Sequence, residues 1–287
     1  MISINTNYGG LYASKAASAS QRTLDTAMER LSTGMRINYA KDDAAGQAIS
    51  TRLTAEVQGL EMASRNAADA QSMIDTAEGA LQETSSLLLR MRELAVQSAN
   101  GTMIQSDRDA LDAEFQALEA EIDRINTNTS WAGISVFDGA SKTFQVGTNA
   151  GGANYISHTF GSMGPHNLGI DSDGADNDSS TAGDNVANAT LTSQSNAQAM
   201  ITALDTAINS VSAERGKLGA VSNRLSSTMA NLDQVAVNLS ASQGRIQDAD
   251  FAAETSNLAK GQILQQAATA MLAQANASKQ NVLALVR

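Results

Sequence analysis

The sequence predicts a mainly α protein: long antiparallel heptad helices forming a rod-like bundle, with a small β-hairpin region and a pair of terminal helices. Three observations carry this. Between about 49 and 99 the apolar residues fall at Leu60, Ala63, Ala67, Ala70, Ile74, Ala77, Leu81, Leu88, Met91 and Ala95. These alternating steps of three and four place one seam against a neighbouring helix. A second run of the same spacing lies over 195–246. Finally, the 287 residues include one proline, Pro165, and only 3 % aromatics, so Ala, Leu, Ile, Val and Met must do the burying. Uninterrupted helices tolerate little proline, and small side chains suit close helix contact.

The chain divides into five stretches. Residues 1–43 form the N-terminal part of an inner, terminal-helix domain and its linker. The helix over 1–33 has Leu11, Leu24, Met28 and Leu31 on its seam, and so little apolar surface is marginal for a lone helix in water; the free monomer is expected to leave it unfolded. Gly34 is the expected helix stop, and Asp42 or Asp43 the expected N-cap of the next helix. Residues 44–170 are the N-terminal part of a core domain. A helix of ~50 residues spans ~75 Å and ends at the Asn100-Gly101 turn signal. A second helix, starting at Ser106 with Asp109 three residues on, carries Leu111, Phe115, Leu118, Ile122 and Ile125. Alternation at Ile134, Val136, Phe144 and Val146 between Gly-containing turns predicts short β-hairpins, with Trp131 as a core anchor.

Residues 171–190 hold Gly, Ser, Asn and Asp without apolar pattern and read as a flexible acidic surface loop. Residues 191–247 restore the heptad at Ile201, Leu204, Ile208, Val211, Leu218, Val221, Leu225, Leu232, Val235, Leu239 and Ile246. This is the partner the first rod requires. Residues 248–287 complete the inner domain with a helix bearing Leu264, Ala268, Met271, Ala275, Val282 and Leu285.

Composition excludes several functions. The formal net charge is −11, without the basic tract that grips phosphate backbones, so no nucleic-acid partner is expected. No cysteine is present, which removes disulfides, thiolate metal sites and thiol nucleophiles. No apolar stretch has signal-peptide or membrane-spanning length, so export, if it occurs, needs another route. Asp171, Asp173, Asp176 and Asp178 fail as a calcium loop, because Asp176 and Ala182 stand where the EF-hand needs Gly and Glu. His158 and His166 lack the His-Glu-x-x-His spacing of zinc proteases, and no nucleophile elbow or phosphate loop occurs. Neither enzyme activity nor a cofactor is expected.

Several longer strings are distinctive. LSTGMRINYAKDDAAGQAIS from Leu31, RELAVQSANGT from Arg92, SWAGISVFDG from Ser130, TFQVGTNAGG from Thr143 and NLAKGQILQQAATAMLAQANASKQNVLALVR from Asn257 resemble, in that order, the bacterial flagellins. Ser278-Lys279 departs from the family, which often has a proline there. The resemblance implies a short form without a large outer domain, which self-assembles into a helical homopolymer, the swimming filament, and is secreted unfolded through a type III channel. It implies filament packing through Leu11, Leu24, Met28, Leu31, Leu264, Met271, Val282 and Leu285. It further implies an export chaperone at the C-terminal helix, filament cap and hook-junction partners, and possible O-modification at Ser179, Ser180 and Thr181. A vertebrate innate immune receptor is expected to contact Arg90, Leu94 and Glu114, although Leu89 stands where a polar residue is common. The alternative reading is a hook–filament junction protein, which shares such terminal helices but joins rather than propagates.

Overall fold

A computed structural model describes residues 6–171 and 189–285, with side chains to Ser278. The helices are α1 (Tyr8–Thr33), α2 (Ala44–Ser98), α3 (Gln105–Asn128), the single turn α4 (Pro165–Leu168), α5 (Gln194–Gln247) and α6 (Phe251–Leu285). Four short strands, β1 (Ser130–Trp131), β2 (Ile134–Ser135), β3 (Ser141–Gln145) and β4 (Tyr155–Thr159), make two antiparallel pairs. Most of the acidic loop, with Ser179, Ser180 and Thr181, lies outside the described residues, as do the side chains of Val282 and Leu285.

The chain forms two compact units. One joins the residues up to Gln58 with those from Ala236; the other is Gly59–Val235. The divisions fall inside α2 and α5 rather than at the helix ends 43/44 and 247/248. The reason is that the first turns of α2 and the last turns of α5 bond to each other and to the linkers. Ser50 Oγ donates to Gln247 Oε1 at 2.8 Å, and Gln243 Nε2 to Thr54 Oγ1 at 2.9 Å. Arg36 N–H and its guanidinium donate to the carbonyls of Gln247 and Ile246, each at 2.7 Å.

The boundary residues behave as their chemistry requires. Gly34 ends α1 with φ 74°, the left-handed conformation that costs a glycine little. Asp43 caps α2, its Oδ1 accepting from Gly46 N–H at 2.9 Å, while Asp42 accepts from Asn38 and Tyr39. Helix α3 begins at Gln105 instead of Ser106, with Ile104 at the cap position and no side-chain cap. Asp107 in the first turn complements the helix dipole there.

In Gly59–Val235 every seam residue expected on α2, from Leu60 to Ala95, is buried. The α5 stripe runs Ala197, Met200, Leu204, Ala207, Val211, Glu214, Leu218, Val221 and Leu225. A row of polar pairs flanks this seam at steps of seven residues, and finally fourteen, along α2. Ser64 bonds Asp233, Gln71 bonds Ser222, Glu78 pairs with Arg215 at 2.6 Å, and Arg92 with Asp205 at 2.6 Å. Rising numbers on α2 meet falling numbers on α5, so the two run antiparallel. Exposed ion pairs contribute only about 0–1 kcal/mol each; their effect here is on register. A slip of about two heptads would set Arg92 against Arg215, or Glu78 against Asp205.

Helix α3 returns along α2. The Arg90 guanidinium donates twice to Glu114 Oε1, at 3.0 and 2.8 Å. The buried stripe of α3 is Arg108, Asp112, Phe115, Glu119 and Ile122, so Leu111, Leu118 and Ile125 lie only half-buried beside it. The charged members hold connectors. Arg108 donates to the carbonyls of Ser98 and Asn100, closing the C-terminal end of α2. Asp112 Oδ1 accepts from Leu191 N–H at 2.6 Å, and Ser98 Oγ donates to Leu191 O at 2.7 Å. The segment re-entering from the acidic loop is thereby fixed to α2 and α3.

The β3–β4 hairpin pairs Phe144 with Ile156 and Lys142 with His158. Trp131 is half-buried against the core. His158 is buried edge-on to Phe160, with Nε2 3.3 Å from Glu214 Oε1; Lys217 Nζ holds the other Glu214 oxygen at 2.9 Å. Burial pushes the His158 imidazole below its ordinary range, and Glu214 pulls it back up only in part.

If the flanking row sets register, charge reversal at one rung should be repaired by reversal at its partner. Glu78→Arg alone should lower the thermal midpoint, at a cost of about 1 kcal/mol or less. Adding Arg215→Glu should restore it, as read by circular dichroism melting.

Candidate assembly surface

The unit built from the chain ends is organised by one antiparallel pair, α1 and α6. Its register can be read from four contacts. Asn7 Nδ2 donates to Asn276 Oδ1 at 3.2 Å, Gln265 Nε2 to Gln21 Oε1 at 2.6 Å, and Arg30 Nη1 pairs with Glu254 Oε1 at 2.8 Å. At Gly261 a side chain would begin 3.5 Å from the Leu24 backbone. The seam of α1 is then Gly10, Ala13, Ala17, Ser20, Leu24, Ala27 and Leu31, and that of α6 is Glu254, Leu258, Gly261, Gln265, Ala268, Leu272 and Ala275. Both follow the heptad. The register sets Leu24 against Gly261, Ala13 against Leu272 and Ala27 against Leu258, a large residue opposite a small one each time.

A seam of this composition buries little. Each buried methyl-sized group contributes about 0.8 kcal/mol, against about 1.5–3 kcal/mol for a fully buried Leu or Met. Several of the larger side chains of the two helices are left outside it. Leu264 is 45 % and Met271 63 % exposed, although they were expected on the seam; they sit one position before Gln265 and Leu272, on the adjacent face. Leu11 and Met28 are likewise exposed, together with Tyr8, Tyr12, Phe251 and Ile263. Leu24 is buried and Leu31 half-buried. Of the described packing candidates, then, Leu24 and Leu31 serve the pair within the chain, and Leu11, Met28, Leu264 and Met271 face outward.

Leu24 and Leu31, and Ala268 and Ala275 on α6, were legible from spacing, whereas Gly261 and Gln265 were not. These two carry no hydrophobic signal; they are selected by the close approach of Gly261 to Leu24 and the bond from Gln265 to Gln21.

The second surface lies in the other unit. Arg90 and Glu114 are about half-exposed and joined, with Glu93 accepting a further Arg90 N–H at 3.0 Å. Glu114 and Glu93 hold the Arg90 guanidinium above its ordinary range, so it stays charged. Leu94 does not belong to this surface. Its side chain is 1 % exposed because it points into the α2 core beside Met91 and Ala95. The neighbouring exposed apolar group is Leu89.

Among the described residues no helix is long and apolar enough to cross a membrane. The two units are mainly helical, and among the described residues the terminal helices leave Leu11, Met28, Leu264 and Met271 exposed. Residues 4–142 match the bacterial flagellin N-terminal helical region, and residues 201–286 the bacterial flagellin C-terminal helical region. The chain is 42 % identical over 307 residues to a flagellin of Bacillus subtilis strain 168, covering 99 % of each. It is also 42 % identical over 286 residues to a flagellin of Halalkalibacterium halodurans, again covering 99 % of each. A flagellar hook-associated protein of Vibrio parahaemolyticus has a similar fold, with TM-score 0.57 over 72 % of this chain and 100 % of that one; at 16 % identity it speaks to fold alone. The class is that of structural proteins and not of enzymes. The chain belongs to the bacterial flagellin family.

The Arg30–Glu254 pair makes the α1–α6 unit acid-sensitive. The hydrogen bond from Arg30 chiefly, with a second from Asn257, holds the Glu254 carboxyl below its ordinary 4.5 against the opposing effect of burial. A carboxyl whose folded value is depressed stabilises the fold above its unfolded value and loses that contribution as pH falls. Helix content of the wild type should therefore decline as pH drops below about 4.5. Glu254→Gln should start lower at neutral pH and show a shallower acid decline by circular dichroism.

Proposed function

We propose that this chain is the repeating subunit of an extracellular flagellar filament, polymerising through the outward faces of α1 and α6. The observation that carries the reading is the exposure of Leu11, Met28, Leu264 and Met271 beside a seam of small residues. Such a face is buried by a neighbouring copy. A contact between unlike surfaces of successive copies does not close on itself and propagates a helical polymer. Because the seam alone buries so little, folding of the pair and association reinforce each other. The subunit converts no substrate; it transmits torque.

The family supplies the remaining partners of the proposal. Export proceeds unfolded through a type III channel, with a chaperone held on the C-terminal helix until release. Cap and hook-junction proteins contact the growing polymer at its two ends. A vertebrate innate immune receptor engages the Arg90–Glu114 surface, with Leu89 as its apolar neighbour and Leu94 supporting from beneath.

Two experiments test this. Purified protein added to short filament seeds should give long helical filaments by electron microscopy. Leu264→Ser with Met271→Ser should raise the protein concentration needed for growth roughly tenfold or more, as expected for losing about 1.4 kcal/mol of contact. Seeds that stay short and become capped would favour a hook–filament junction role instead. For the second surface, Arg90→Ala should lower receptor activation at equal monomer concentration; unchanged activation would remove that surface from the proposal.

A further inference from the structure

We propose that Asn100 is a modification site, at which the side-chain amide is lost spontaneously by ring closure onto the Gly101 nitrogen. The two residues lie in the turn between α2 and α3, and both are exposed. The backbone of Asn100 is held at three points. Its N–H donates to Gln97 O at 3.2 Å, and its carbonyl accepts from Met103 N–H at 3.2 Å and from Arg108 Nη2 at 2.9 Å. The side chain is held too: Oδ1 accepts from Thr102 N–H at 3.2 Å. That bond folds the side-chain carbonyl back over the Gly101 peptide. Among the described residues no hydrogen bond engages the Gly101 N–H. Nor does a side chain crowd it, since the nearest atom to a Cβ placed there is Gln194 Nε2 at 4.0 Å.

These features assemble a nucleophile, an electrophile and a donor. The Gly101 nitrogen gives its proton to solvent hydroxide and attacks Asn100 Cγ. A new C–N bond forms, and negative charge develops on Oδ1, where the Thr102 N–H already points. The bond from Cγ to the side-chain nitrogen then breaks, and ammonia leaves with a proton from water. The product is a five-membered succinimide. Water opens it at either carbonyl, giving aspartate or, with the chain rerouted through Cβ, isoaspartate. One water is consumed and one ammonia released overall. Both products place a carboxylate at the C-terminal end of a 55-residue helix, the end where the dipole disfavours negative charge. The isoaspartate also adds a backbone atom to the turn that Arg108 clamps.

The test is peptide mapping of the intact protein incubated in mildly alkaline and mildly acidic buffer. Trypsin releases Glu93–Arg108 as one peptide. The amide-to-acid mass increment should accumulate there as two separable products, faster in alkali. Accumulation should be no slower than in the synthetic Glu93–Arg108 peptide under the same conditions. It should far outpace any change at the exposed Asn209-Ser210 pair, which sits inside α5. Gly101→Ala, with helix content checked by circular dichroism, should slow it several-fold. Reaction in the free peptide but not in the folded chain would overturn the proposal, as would an unchanged rate in Gly101→Ala.

Discussion

The structure depends on one constraint: a narrow heptad stripe on a long helix must find a second stripe of matching length and complementary shape. Helix α2 has 55 residues and α5 has 54. Within Gly59–Val235 the α2 stripe is largely Ala, Leu and Met, and the α5 stripe supplies Leu and Val against it. Leu and Val on one side fill what Ala leaves on the other, so the two stripes share one core through their side chains over a long run. Apolar stripes alone tolerate slippage, since one heptad looks much like the next. Direction and register therefore rest on the polar rungs from Ser64–Asp233 to Arg92–Asp205, and their role is specificity more than energy.

Charges placed inside the stripes define the connections between helices. Arg108, Asp112, Glu119 and Glu214 all occupy buried heptad positions. Burying a charge is costly unless it is paired and hydrogen-bonded. Arg108 meets that requirement on carbonyls at the end of α2, and Asp112 on the Leu191 N–H. Glu214 does so through Lys217 at one oxygen, while its other oxygen lies 3.3 Å from His158 Nε2. Each of these three therefore holds a place where the chain changes direction or where the hairpin docks. Hydrophobic contact, being non-directional, could not fix those positions as tightly.

This also explains which parts the sequence disclosed. The α2 stripe was readable throughout, because Leu, Ile, Met and Ala there alternate with polar residues. The α3 stripe was read correctly at Phe115 and Ile122, but a reading by hydrophobicity follows Leu111 and Leu118 and passes over their buried neighbours Asp112 and Glu119. The same preference displaces the reading on α6, where Leu264 and Met271 outweigh Gln265 and Leu272. Leu94 was placed by resemblance and not by periodicity, and its burial next to Ala95 in the α2 stripe puts it on the inward side of the helix. Gly34 and Asp43 were readable because capping is local chemistry, carried by one residue and its immediate neighbours.

The displacement on α6 connects fold to function. A helix that leaves larger apolar residues such as Leu264 and Met271 beside its seam, with Gly261 and Gln265 in it, is poorly optimised for the chain alone. The α1–α6 contact uses glycine opposite leucine and alanine opposite leucine, which fixes geometry while burying little surface. Had Leu264 and Met271 faced α1, the pair would be more stable in isolation but would present a more polar exterior. On the filament reading, apolar surface is thus divided between a seam that sets the angle of the pair and a face that rewards association. Stability gained on binding scales with how much better the folded form binds than the unfolded one. A marginal pair with a complete outer face makes that difference large, so order in the terminal helices becomes a consequence of joining the polymer.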